Sequence, residues 1–375
     1  MEFSFSEEQL AIRDLAKQIF SDKATDDYLR QYDFDARAFD GELWQTLAEA
    51  GLLGITLPES CGGSAMGLTE LCLALEEYGR ALAPVPMFSS LVLAALPLSE
   101  FGSEVQQSDL LQPLANGKSH LASGLHSADA YCELQAQEQQ GKWTLNGSSG
   151  LVAYAEEAAA LVLPAKLADG SRAVFALPYN TKGISLTPQF GTNLEPLYKI
   201  HFDNVAVGNE ALLGSAQEGE KIIQWAAERA MTALAAMQVG VLEEGLRRTA
   251  EYTGERQQFG RPMASFQAVS HRAANGYIDI EALRSAYWLA LWRLSEGLPA
   301  SKEVRVAKWW ACEAGHRVGH TGQHLHGGIG SDVDYPIHRY YLWAKQIEFT
   351  LGGANRQLAD LGAMLAANEE VQLPV

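Results

Sequence analysis

The fold of this chain is decided by two segments, Glu255-Arg-Gln-Gln-Phe-Gly260 and His324-Leu-His-Gly-Gly-Ile-Gly330. Each segment lies at the end of a helical run. An arginine can neutralise phosphate charge, and a Gly-Gly pair lets backbone N–H groups approach an anion closely. The two segments together therefore predict a surface for the diphosphate of a dinucleotide. Either segment alone would be weak support, because glycine-rich turns are common in proteins.

Other motifs extend outward from these two segments in a definite order. They are, from the N-terminus, Gly51-Leu-Leu-Gly-Ile-Thr-Leu-Pro-Glu59 with Gly62-Gly-Ser-Ala-Met-Gly67, Phe202-Asp-Asn-Val-Ala-Val207 with Ala211-Leu-Leu-Gly214, and Arg261-Pro-Met-Ala-Ser-Phe-Gln-Ala-Val269. In this order they resemble the motifs of the acyl-CoA dehydrogenases along nearly the whole chain. Chance agreement is improbable, because several motifs would have to match at once.

The resemblance implies an α+β fold with three domains: an N-terminal α-helical domain at residues 1–115, a middle antiparallel β-domain at 116–215 and a C-terminal four-helix bundle at 216–375. The hydrophobic periodicity agrees with this order. The strand candidates are Leu121–Leu125, Cys132–Ala136, Trp143–Leu145, Ala160–Leu163, Ala173–Leu177, Ile184–Thr187 and Lys199–Phe202. The helical runs of the C-terminal part are Glu218–Tyr252, Ser265–Glu296, Ser301–His320 and Tyr335–Ala366.

Enzymes of this family oxidise acyl-CoA thioesters with FAD and pass electrons to an electron-transfer flavoprotein, so the resemblance implies the same substrate class, cofactor and acceptor. In the family's dimer, one chain's β-domain covers the flavin ring, while the neighbour's C-terminal domain binds the diphosphate and adenine. The residues that match the neighbour's half of the site are Arg256, Phe259, Gln267, His324, Gly327 and Gly328. One of them departs from the family's pattern, because His324 replaces a glutamine.

No catalytic residue is expected, because both positions that carry the family's base hold apolar side chains. The base is a carboxylate that removes the proton α to the thioester. In one branch it follows an Ala-Lys pair on the final helix, where this chain has Leu351; in the other it lies on the helix that opens the bundle, where this chain has Ala230. Neither side chain can accept a proton. A relocated base at Glu348 or Glu228 is an open alternative.

The half of the site that faces the flavin also departs from the family's pattern. The segment Leu125-His-Ser-Ala-Asp-Ala130 replaces a loop that contacts the flavin and CoA, and Leu151-Val-Ala153 replaces a segment with an aromatic ring and a hydroxyl. Tyr154 and Ser149 could supply these groups only in a shifted register. The chain therefore retains the half-site that it offers to a neighbour and lacks the half that serves its own chemistry.

Composition limits the partners and the compartment. The formal net charge of −18 argues against nucleic acid or an anionic membrane as a partner. Against that background Arg256, Arg261 and Arg272 form a local basic patch for an anionic ligand. No signal peptide or membrane-spanning run is visible. The four cysteines lack metal-ligand spacing, so we expect no metal site and free thiols in the cytoplasm.

The segment Asp334-Tyr-Pro-Ile-His-Arg-Tyr-Tyr-Leu-Trp-Ala-Lys345 resembles the shorter subunits of heteromeric bacterial dehydrogenases, which act on CoA thioesters of steroid side chains. In those complexes a longer subunit carries the base. We therefore expect a non-catalytic partner subunit of an acyl-CoA dehydrogenase complex. Three alternatives stay open: a self-sufficient homodimeric dehydrogenase with a relocated base, a FAD-free scaffold, and a flavin oxidase or monooxygenase of the same fold. Oligomerisation is also favoured by four bundle tryptophans, Trp288, Trp292, Trp309 and Trp310.

Overall fold

The computed structural model describes residues 4–32, 39–127 and 132–367. The chain forms two compact units, one with Met1–Leu75 and Ala83–Ala230, the other with Glu76–Leu82 and Met231–Val375. Both units combine separate stretches of sequence, because the short stretch Glu76–Leu82 belongs with the C-terminal unit. The division into three domains, with boundaries near residues 115 and 215, stays a prediction.

Helices form the N-terminal part of the chain. They are α1 Glu7–Lys23, α2 Asp26–Tyr32, α3 Gly41–Glu49, α4 Leu68–Ala81, α5 Leu96–Phe101, α6 Glu104–Gln106 and α7 Gln112–Ala115, with a π-helical segment Met87–Ala95 before α5. A capping box begins α1: the Ser6 hydroxyl accepts a hydrogen bond from the Gln9 N–H at 3.1 Å, and the Gln9 side chain accepts one from the Ser6 N–H at 3.0 Å. These reciprocal bonds satisfy donors that a helix N-terminus otherwise leaves unpaired.

A seven-stranded sheet follows α7. Its strands are β1 Leu121–Ser123, β2 Gln135–Gln139, β3 Lys142–Ala153, β4 Ala160–Lys166, β5 Arg172–Leu177, β6 Ile184–Phe190 and β7 Pro196–Gly208. Their spatial order is β1-β4-β2-β3-β7-β6, and β5 pairs with β4. The buried face includes Trp143 and Phe175, whose rings meet edge to face at 5.5 Å. All seven predicted strands are present, with shifted bounds.

The α+β fold class is confirmed, but the antiparallel description of the sheet needs a correction. β1 runs parallel to β4, with Leu121 opposite Ala160, and β2 meets β4 in parallel at one residue pair. Parallel strands need a crossover connection, and the β2–β3 hairpin lies within the connection from β1 to β4. Periodicity identifies which residues form strands but carries no information on the direction in which distant strands pair.

Five helices follow the sheet in the described chain: α8 Gly219–Glu255, α9 Gln267–Ser295, α10 Ser301–His326, α11 Ile337–Phe349 and α12 Ala354–Ala366. The predicted helical run Tyr335–Ala366 is corrected accordingly, because it is two helices rather than one. Between them Leu351 has a φ of 61° and Gly352 a φ of 89°, so the backbone leaves the helical region. The apolar periodicity continues across this break, and for that reason the sequence pattern did not reveal it.

The end of α4 packs against α8 through backbone contacts in the C-terminal unit. A Cβ added at Gly240 would lie 1.8 Å from the carbonyl oxygen of Glu76, and one added at Gly79 would lie 2.3 Å from that of Met237. Ion pairs flank this contact: Arg284 donates to Glu76 at 2.9 Å and also to the Glu243 carboxylate. The two helices therefore approach more closely than any side chain would permit.

We predict that Gly240→Ala destabilises the protein by about 3 kcal/mol, the upper range for overpacking, because the added methyl group meets backbone rather than a movable side chain. Gly254→Ala is the matched control on the same helix, since nothing lies within 4 Å of a Cβ added there. It should stabilise the protein by about 0.5–1 kcal/mol through helix propensity. Urea unfolding followed by circular dichroism measures both, and equal effects of the two variants would contradict the backbone contact.

Candidate functional site

A short hairpin at the end of α8 presents the first motif. Its strands are β8 Gln257–Gln258 and β9 Arg261–Pro262, and its turn residues Phe259 and Gly260 have φ values of 53° and 76°. Two positive φ values are typical of a two-residue hairpin turn, and glycine adopts them without strain. Phenylalanine does not, yet the Phe259 side chain is 92% exposed. The ring meets that of Phe266 edge to face at 6.1 Å, but this contact leaves most of it exposed.

The basic side chains around this hairpin are exposed. Within the described residues the Arg256 guanidinium forms no hydrogen bond or ion pair, while the backbone of this residue is bonded to Tyr252 and Met263. The Arg261 guanidinium lies 4.1 Å from the ring centroid of Phe266. Gln267 begins α9 and is also exposed. Arg256 is therefore available to an anion without first breaking an internal ion pair.

The second motif ends α10, and two contacts bring it beside the first. The ring of Tyr252, on the last turns of α8, stacks on His326 with centroids 4.4 Å apart and planes inclined by 19°. The Arg272 guanidinium, on α9, donates to Nδ1 of His324. The ends of α8 and α10 and the start of α9 thus converge. This arrangement places all six predicted cofactor-binding residues around one end of the helical unit.

The two glycines of the second motif differ in what the fold requires of them. Gly327 has a φ of 64° and a ψ of −138°, a conformation that L-residues rarely adopt. Gly328 has no positive φ, is exposed, and has nothing within 4 Å of an added Cβ. The fold of the chain itself therefore explains the glycine at 327 but not the one at 328.

The turn between α11 and α12 holds Leu351, the residue that the sequence resemblance aligns with one position of the family's base. Buried polar side chains hold the backbone of this turn. Lys308 is fully buried, and its Nζ donates to the carbonyl oxygens of Ile347 at 2.7 Å and Glu348 at 3.0 Å. Gln357, also buried, donates to those of Leu351 at 2.9 Å and Gly352 at 3.1 Å. Burial lowers the pKa of Lys308. The turn keeps a defined shape without a carboxylate at its tip.

Sequence analysis missed Lys308 and Gln357. A signal for Lys308 was present, since it falls at helical spacing among Val304, Ala307 and Ala311, all of which are buried. A lysine within an apolar stripe indicates either a buried, hydrogen-bonded ammonium or a stem that reaches the surface. No comparable pattern marks Gln357, whose role depends on the turn geometry.

Glu348 and Glu228 are the two candidates for a relocated base. The mostly buried Glu348 carboxylate accepts a hydrogen bond from Lys345 Nζ at 2.6 Å, so one of its oxygens is already occupied within the chain. Glu228 is half-buried on α8, and Ala230 is fully buried. The structure therefore places an ion-paired carboxylate at 348 and a methyl group at 230.

The part of the β-domain that departs from the family's pattern is packed with its own side chains. Leu125 and Ser127 are buried, and burial lowers the pKa of His126 to about 4. Residues 128–130 of the same segment lie outside the described residues. Tyr154 and Ser149 are buried as well, and burial raises the pKa of Tyr154. These groups point to a filled interior in this segment rather than to an exposed aromatic ring and hydroxyl.

The described ranges contain neither a candidate metal site nor a candidate membrane-spanning helix. Among residues 4–32, 39–127 and 132–367, no group of three or more His, Cys, Asp or Glu side chains could hold a metal ion. In the same ranges no helix is both long and apolar enough to cross a membrane. The described cysteines are free and buried.

Comparison with known proteins identifies the class. Residues 6–118 match the model of the acyl-CoA dehydrogenase N-terminal domain, and residues 217–366 match that of the C-terminal domain. The chain therefore belongs to the acyl-CoA dehydrogenase family. Members of this family are FAD-binding flavoproteins that oxidise acyl-CoA substrates, and FAD is the cofactor.

Individual members of the family are similar to this chain over nearly its whole length. The chain is 37% identical to acyl-CoA dehydrogenase FadE27 of Mycobacterium tuberculosis over 374 residues, which is 98% of this chain and 99% of the relative. It superimposes on a chain of the ChsE4-ChsE5 complex from the same species with a TM-score of 0.92, 37% identity and 100% coverage of both chains. A chain of the Tcur3481-Tcur3483 steroid ACAD gives a TM-score of 0.89 with 42% identity, covering 96% of this chain and 98% of that one.

The residues at the converging helix ends fit part of an FAD. Arg256 is an unpaired guanidinium for the diphosphate, and Gly328 leaves open space that the fold does not use. The exposed ring of Phe259 offers an apolar surface to the cofactor. An exposed positive charge beside an open glycine turn suits an anionic group such as the diphosphate.

We predict that Gly328→Ala leaves the free energy of unfolding within about 0.5 kcal/mol of the parent protein, because the added methyl group enters open space. Gly327→Ala should destabilise it by about 1–3 kcal/mol, because alanine is strained at the φ and ψ of this position. Thermal unfolding of both variants measures the difference. A large loss at Gly328 would show that the fold, and not a ligand, needs this glycine.

Proposed function

We propose that this chain is the non-catalytic subunit of a heteromeric acyl-CoA dehydrogenase and completes the FAD site of a catalytic partner chain. One contrast carries the proposal: the half-site around Arg256 is exposed and complete, while Leu351 and Ala230 occupy both positions of the base. An active site that lacks a base cannot remove the α proton. An exposed half-site can bind FAD when a second chain supplies the flavin-binding half.

Each residue of the half-site has a distinct role in this proposal. Arg256 neutralises diphosphate charge, and the backbone at Gly327 and Gly328 allows close approach to the phosphates. Phe259 packs beside the cofactor, while Gln267 and His324 donate hydrogen bonds to it. Bound FAD supplies the hydride acceptor for the β carbon of the substrate. The partner chain supplies the carboxylate.

The substrate of the complex is proposed to be the CoA thioester of a bulky acyl group, such as a steroid side chain. Support comes from the similarity to a chain of the Tcur3481-Tcur3483 steroid ACAD and to a chain of the ChsE4-ChsE5 complex. An electron-transfer flavoprotein is the proposed acceptor, and the cytoplasm the proposed location. A complex of unlike chains would also bury the half-buried tryptophans of α9 and α10.

A second candidate is a homodimeric dehydrogenase that uses Glu348 as a relocated base. Its support is the position of Glu348, about one helical turn before Leu351. The ion pair with Lys345 opposes it, because Lys345 Nζ already contacts the carboxylate oxygen that would have to accept the proton. A FAD-free scaffold is less well supported, since it gives no use to the exposed half-site.

The first prediction concerns flavin content. Alone, the chain should purify with little FAD; co-purified with its partner it should hold one FAD per pair of unlike chains. Arg256→Ala should strip most of that FAD, because losing a charge-assisted phosphate contact costs about 2 kcal/mol or more. Flavin absorbance per complex measures this, with Arg356→Ala on α12 as the control arginine. Two FAD per pair, or full flavin in the Arg256→Ala complex, would overturn the proposal.

The second prediction concerns catalysis. The purified single chain should show no dehydrogenation of acyl-CoA substrates with an artificial electron acceptor, because Leu351 cannot accept the α proton and no other carboxylate takes over that role. Leu351→Glu alone should not restore turnover, since the flavin-facing segment near Leu125 is also altered. Robust turnover that Glu348→Gln abolishes, with Glu228→Gln as the matched control, would instead establish the relocated base.

A further inference from the structure

We propose that Arg272 is a positioning residue that fixes the tautomer of His324, so that the Nε2–H of this histidine is the group donated to the cofactor diphosphate. The inference rests on the proposed half-site and deepens it. It assigns a use to the one site position where this chain departs from the glutamine of its family.

The geometry begins with the contact between the two side chains. Arg272 lies in the second turn of α9 and His324 in the last turn of α10, and the guanidinium NH1 contacts Nδ1 of the imidazole. A guanidinium has donors and no acceptor. Nδ1 must therefore carry the lone pair, and the ring proton must be on Nε2.

The tautomer decides whether His324 can bind an anion. A ring that carries its proton on Nε2 offers a donor on the side away from Arg272, while the other tautomer offers a lone pair there, which repels phosphate oxygen. A glutamine at this position always has an amide donor. A histidine has a donor on the required side only in one tautomer, so it needs a second group to select that tautomer.

Nothing in the fold of the chain requires the Arg272–His324 contact. Both side chains are exposed, and an exposed hydrogen bond contributes little to stability. Within the described residues the Arg272 guanidinium bonds to His324 rather than to a carboxylate, although the chain has 46 acidic residues and only 28 basic ones. A guanidinium that is hydrogen-bonded to an imidazole, beside the unpaired Arg256, is better suited to a ligand than to folding.

The direct test is the histidine tautomer in the full chain labelled with ¹⁵N-histidine. Two-bond and three-bond ¹H–¹⁵N correlations distinguish the two tautomers, and His324→Gln identifies the signal by its loss. We expect the Nε2–H form in the parent protein and a mixture of forms in Arg272→Met. Arg356→Met should leave the spectrum of His324 unchanged. An Nδ1–H form, or no effect of Arg272→Met, would overturn the proposal.

Ligand titration on the same sample tests the direction of the donor. ADP should shift the Nε2 resonance of His324, because it carries the diphosphate and adenine of the half-site. Adenosine, which lacks phosphate, should not shift it. A shift with adenosine alone, or none with either ligand at millimolar concentration, would show that His324 does not face the diphosphate.

A double-mutant cycle in the co-purified complex separates positioning from direct contact. In the parent background, Arg272→Met should weaken FAD retention about tenfold, as expected for the loss of one charge-assisted bond. In the His324→Gln background, the same change should weaken it about twofold or less. Equal losses in both backgrounds would mean that Arg272 binds phosphate itself. If Arg256→Ala strips FAD while Arg272→Met does not, this inference fails and the proposed function stands; if neither variant does, both fail.

Discussion

The stacking of Tyr252 on His326 is the contact on which the half-site depends. The hairpin with Arg256 begins one turn beyond Tyr252, and the glycine turn begins one residue beyond His326. Because a helix is stiff over one turn, holding these two rings together fixes the separation between the hairpin and the turn. His326 is itself fixed, since its Nδ1 lies 2.8 Å from the carbonyl oxygen of Gly322. A site made of two distant segments is thus preorganised before any cofactor arrives.

The position of Phe259 beside this site explains why its side chain is exposed. Its ring is in water and its backbone is in a region that disfavours side chains, and both features cost free energy in the isolated chain. Aromatic residues and arginines are enriched in protein interfaces, where a partner removes them from water. Phe259 beside Arg256 therefore has the character of a surface that is completed by other molecules. The chain as a whole is strongly acidic, with a formal net charge of −18, so the basic side chains here provide local positive charge for an anion.

The sequence predicted elements and motifs better than it predicted contacts. The seven strands and the two glycine-containing motifs each have a local signature, because alternation and Gly-containing turns arise from neighbouring residues. The parallel pairing of β1 with β4 and the contact of Arg272 with His324 do not, because they join residues far apart in the chain. The break at Leu351 was missed for a third reason: the periodicity was correct on both sides of it.

The turn at Leu351 also shows that the shape of an active-site element can be independent of its chemistry. Four of its backbone carbonyls accept hydrogen bonds from the buried side chains of Lys308 and Gln357. Unpaired buried carbonyls are costly, so these bonds persist whatever side chain occupies position 351. With leucine at 351, Lys308 of α10 and Gln357 of α12 hold the end of α11 and the turn that follows it. In the proposed function, the chain lacks the base of its family and still presents the helix ends that bind a cofactor.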